Sequence, residues 1–85
     1  MILMGMDIHP NIRTVIARKN EMLALLTIIE IEQQARVVTT DPRRPEPSVR
    51  VYDDPRQAAR EFAAALSTTR KRGWTVVYDG PPLLG

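Results

Sequence analysis

Arginines flank a proline-rich stretch in the middle of this chain, and cations on stiff backbone suit phosphate recognition. Arg43 and Arg44 lie within Asp41-Pro42-Arg43-Arg44-Pro45-Glu46-Pro47-Ser48, with Arg36 and Arg50 in the β-branched segments on either side. Planar guanidinium groups present forked donors that match phosphate oxygens. If those segments pair as strands, the four arginines gather near one end of a sheet. A second set follows. At ~100° per residue, Arg56, Arg60, Arg70 and Lys71 share one stripe of a helix, with Ser67 between them and Glu61 off it. Trp74, Tyr52 and Tyr78 are the aromatics available to stack on bases, as in sheet-based single-strand binders. Each feature also has a plainer reading. The stripe is a solvated helix face, Trp74 plugs one end of the core, and the tyrosines are cross-strand neighbours. The proline stretch is a rigid loop, or a polyproline-type ligand for another protein.

Other reactive side chains give little. His9 is the only histidine and stands without cysteine or clustered carboxylates, which is a poor metal site. Asp53 and Asp54 are adjacent carboxylates, but helix capping accounts for Asp54. Glu30 and Glu32, spaced by two, mark where an apolar strand leaves the core. Ser48 and Ser67 lack a Gly-x-Ser-x-Gly context and an evident base. The four glycines are not clustered into a phosphate-cradling loop. These absences imply no enzyme, no cofactor and no metal.

With 85 residues the chain makes one domain. A domain of that size buries only ~60% of its unfolded surface, and no cysteine is present to staple it. Ten arginines and two lysines give a net charge of only +2 and a pI near 9.5, a mild excess that permits phosphate contact without requiring it. No apolar stretch is long enough to span a membrane, and Met1-Ile2-Leu3-Met4 is too short for a signal peptide. Absent cysteine suits a reducing cytoplasm.

Local pattern then places these residues. Residues 12–18 read as a strand, and Lys19-Asn20-Glu21 as a turn in which Asn20 tolerates positive φ. Residues 22–32 are ambiguous. Met22–Leu26 favours helix, whereas Thr27–Glu32 alternates as a strand; a long strand is the preferred reading and a helix over 20–34 the alternative. Residues 35–40 and 49–52 are strands around the proline loop. Asp54, Pro55 and Gln57 form a capping-box arrangement that starts a helix, and Gly73 ends it. Residues 74–78 form the last strand, leaving 1–8 and 80–85 as loose termini.

Ala58, Ala59, Phe62, Ala65, Leu66 and Thr69 share the helix face that would pack on a sheet. One helix covers one sheet face only. Yet the strand over 22–32 is apolar on both: Leu23, Leu25, Ile29 and Ile31 on one side, Leu26 and Ile28 on the other. The second face calls for a second copy of the chain. Val49 to Tyr78 resembles the closing helix–strand portion of WGR-type domains, which also place an aromatic after a basic helix end. Arg72-Gly73-Trp74 departs from the Trp-Gly-Arg triplet in order and place, so no functional residue carries over.

The expected architecture is a single α+β domain of β4αβ order, mostly antiparallel, with one long helix on one face. The expected function is a non-catalytic nucleic-acid-binding or regulatory protein using the arginine and lysine set above; the alternative is a homodimeric protein-interaction or assembly module.

Overall fold

The computed structural model describes residues 11–82. Expectations for His9, for residues 1–8 and for residues 83–85 lie outside that span. Five strands and one helix follow in the order β1 (Asn11–Lys19), β2 (Met22–Ile31), β3 (Gln34–Thr40), β4 (Ser48–Tyr52), α1 (Pro55–Lys71) and β5 (Thr75–Gly80). The fold is α+β. Alternating burial along Met22–Ile31 settles the ambiguous segment as strand, with Ala24, Leu26 and Ile28 buried.

Two tight hairpins join β1 to β2 and β2 to β3. Lys19 pairs with Met22 and Ile31 with Gln34, so each connection is two residues long. The first residue of each takes positive φ: Asn20 at 57° and Glu32 at 56°. Asparagine suits that conformation; glutamate does not. Glu32 therefore sits in a turn, and Glu30 and Glu32 do not share a strand.

All pairings are antiparallel, and the sheet order is β4-β3-β2-β1-β5. By that alternation β4 and β5 run in the same direction at opposite edges. Joining them takes a crossover, which α1 supplies. Asp54 caps the helix in extended conformation, and its Oδ1 accepts from the Arg56 backbone N–H at 2.9 Å. The side-chain bond thus goes to Arg56 rather than to Gln57, whose N–H takes the Asp54 carbonyl at 3.0 Å. At the other end Gly73 has φ 94°. Its N–H donates to the Arg70 carbonyl and that of Trp74 to the Thr69 carbonyl, the paired bonds of a Schellman ending. Lys19 Nζ donates to the Arg72 carbonyl at 2.7 Å, tying the helix end to the first hairpin.

The helix packs on β2 and β3 and reaches β4. Its inner residues Ala58, Phe62 and Leu66 join Val15, Leu26, Ile28, Ala35 and Val37 in the core. Ala59 is exposed, at the edge of the expected arc. Trp74 is buried with Ala17 and Ala24 and closes one end of the sandwich. It precedes β5, which runs on through Gly80, beyond the expected end at Tyr78. Arg13 holds that extension: its guanidinium grips the Asp79 carboxylate through two bonds of 2.8 and 2.7 Å.

Candidate interaction surface

Strand register sorts every side chain onto one of two faces. Val15, Leu26 and Thr39 align across three strands on the helix side. The neighbouring positions make up the opposite, open face. There Ile12, Ile29, Arg36 and Val51 form one row. Thr14, Thr27, Val38 and Val49 form the next. Ile16, Leu25, Thr40 and Tyr78 form a third, and Arg18, Leu23 and Thr75 a fourth. A register shift between Ile16 and Ala17 leaves Val77 without a partner on β1, so Val77 and Tyr78 both fall on this face.

No element of the described chain covers these rows. Leu23, Leu25, Ile31, Val49, Val51 and Val77 are the exposed large hydrophobics of the described residues, and all six lie here. Their exposure runs from 37% for Leu25 to 56% for Val51. An antiparallel sheet with one solvated face normally alternates apolar-in with polar-out. This one is apolar on both. At the β2–β3 hairpin lies an open hollow of about 760 Å³, bordered by Ile29, Ile31, Glu32, Gln33, Gln34, Ala35 and Arg36.

The cations expected to act together are dispersed. Arg36 pairs with Val51 and Arg50 with Val37, which puts Arg36 on the open face and Arg50 on the helix side. Alternation enforces that split, because the two positions are one residue out of phase. Arg43 and Arg44 lie beyond Thr40, at the other end of β3 from Arg36, so the four do not gather at one end. Arg43 turns back over the Trp74 ring, 5.8 Å from its centroid, and is held by Asp41 through bonds of 3.0 and 2.9 Å. That hydrogen bonding pulls the Asp41 carboxyl down to about 2. Arg56, Arg60, Arg70 and Lys71 are exposed on α1, with Arg56 beside Asp54 at 3.5 Å and Arg70 near enough to Asp79 of β5 to help hold its carboxyl below the usual range.

The aromatics form no stacking platform. Trp74 is buried, Tyr52 packs against the core under the helix, and Tyr78 lies on the open face with its hydroxyl donating to the Pro81 carbonyl. Tyr52 and Tyr78 stand on opposite edge strands and are not neighbours. Sequence reasoning found Leu23, Leu25, Ile29 and Ile31 but missed Val49, Val51 and Val77. The Val-x-Val spacing in β4 was the available signal. Its meaning depends on register with β3, which one strand alone does not reveal.

No protein-family model matches the chain, and neither does any curated protein or solved structure. The likeness of the closing helix and strand to WGR-type domains gains no support from them.

Proposed function

We propose that this protein is a non-catalytic interaction and assembly module whose working surface is the open face of its sheet. One observation carries the reading: the exposed large hydrophobics of the described residues all share that face. Patches beyond a few hundred Å² on a small protein mark surfaces meant to be covered. Five strands spaced ~4.8 Å apart and ~20 Å long give a face of roughly 500 Å², comparable with the largest patch of a monomer, which is often functional. Its centre carries threonines and aliphatics, and its two arginines, Arg18 and Arg36, stand toward opposite ends. An apolar centre with charge held outside it is the anatomy of a protein interface.

Nucleic-acid binding is the second reading. The observation that favours it is the exposure of Arg56, Arg60, Arg70 and Lys71 on α1. It ranks second because Arg36, Arg43, Arg44 and Arg50 do not extend that set.

Variants on the two surfaces separate the readings. Val49→Glu with Val51→Glu abolishes protein association, measured by sedimentation velocity, with the fold kept. DNA and RNA titrated by fluorescence anisotropy across a salt series leave the parent protein unbound at physiological ionic strength. Micromolar binding with a log–log salt slope, lost in Arg56→Glu with Arg60→Glu, would overturn the assignment in favour of the second reading.

A further inference from the structure

Resting on that reading, we infer that the occupant of the open face is a second copy of this chain, stacked sheet against sheet with β2 antiparallel to its partner. In this arrangement Leu23 of each protomer seats in the Ile29–Ile31 concavity of the other.

Area is the first argument. Two faces of roughly 500 Å² bury ~1,000 Å² together, the floor for a specific interface, and side-chain relief adds to it.

Shape is the second argument. A two-fold interface requires the same patch to present both a projection and its receptor. The open face does so along one strand. Leu23, 52% exposed, stands at one end of β2, and the concavity of about 760 Å³ beside Ile29 and Ile31 lies at the other. Thr27 is midway between Leu23 and Ile31. A two-fold axis lying between the sheets, over Thr27 and perpendicular to β2, carries each Leu23 onto the partner's concavity. An axis along β2 would instead set Leu23 against Leu23 and leave both concavities empty.

Charge points the same way. Arg18 is the cross-strand partner of Leu23, and Glu21 lies in the adjoining hairpin. Glu32 and Arg36 border the concavity. Antiparallel stacking brings the end bearing Arg18 and Glu21 to the end bearing Glu32 and Arg36. Arg18 then falls at the same end as the partner's Glu32. Stacking in the other sense leaves Arg18 and the partner's Glu32 at opposite ends.

Cysteine pairs test this in a chain that has none of its own. Leu23 and Ile31 are eight residues apart on β2, ~26 Å, so two Leu23 positions in the antiparallel dimer lie far beyond the reach of a short bifunctional maleimide, whereas Leu23 and the facing Ile31 are separated by only the ~10 Å between stacked sheets. With that cross-linker, a mixture of the Leu23→Cys and Ile31→Cys proteins forms covalent dimers, whereas neither variant alone does. Native protein sediments at twice 9.6 kDa at micromolar concentration. Leu23→Glu keeps its circular dichroism and dissociates at least ~100-fold more readily. Efficient cross-linking of Leu23→Cys to itself would overturn the antiparallel arrangement. A monomeric native mass would overturn the second copy altogether. In that event an apolar-surface dye that binds the native chain but not Leu23→Glu would leave the face as a site for a different protein. No dye binding would sink the interaction reading too.

Discussion

At the residue scale, the cations matter by where their charge is already spent. Arg43 answers Asp41, Arg13 answers Asp79, and Lys19 answers a helix-end carbonyl. The two carboxylates are held below the usual range by hydrogen bonds from their arginines. A depressed carboxyl contributes stability that is present above its unfolded value near 4 and is lost as pH falls through its folded value. Thermal midpoints should therefore fall on acidification from about pH 4 toward pH 2, and Asp79→Asn should flatten part of that fall. A profile unchanged by the substitution would remove the Arg13–Asp79 pair from the balance. Glu32 bears a different cost, since a left-handed residue with a Cβ is disfavoured by ~1–2 kcal/mol. Glu32→Gly should raise stability by ~0.5–1 kcal/mol in urea titration, part of the gain being offset by glycine's greater freedom in the unfolded chain. At this scale the sequence was a partial guide. Asn20 announced its turn by its residue type. Glu32 did not, because its turn is forced by the pairing of β2 with β3.

At the element scale, helix and strands were legible from local chemistry. Asp54-Pro55 starts the helix and Gly73 ends it because backbone donors and acceptors at those points need those residues. The β-branched half of residues 22–32 prevailed over the leucine-rich half, since a central strand buries both kinds equally well. What local pattern could not supply was register. The bulge opposite Ile16, the extension of β5 through Gly80, and the separation of Arg36 from Arg50 all arise from how neighbouring strands align. The helix depends on few large contacts. Phe62, 1% exposed, is the one aromatic it drives into the sheet, with the Arg13 guanidinium 5.2 Å over its ring. Phe62→Ala should cost ~3–5 kcal/mol, most of what a domain this small possesses. A loss under 1 kcal/mol on chemical denaturation would mean that the helix is held by other contacts.

At the scale of the whole molecule, five strands and one helix leave a mismatch between the surface that needs cover and the cover available. α1 shields one face over β2 and β3. The other carries exposed aliphatics from Val49 and Val51 at one edge to Val77 at the other. Half of this was readable in the apolar positions of residues 23–31. The rest became visible only when the edge strands took their register beside them. A second copy resolves the mismatch with no further sequence, and gives the concavity beside Ile31 a side chain to hold. The most direct measurement is methyl relaxation by a soluble paramagnetic agent. If the open face is closed by a second copy, the methyls of Leu23, Leu25, Ile31, Val49 and Val51 will be shielded nearly as well as those of Leu26 and Ile28. Relaxation in proportion to their exposure in the single chain would show the face bare in solution and contradict the account.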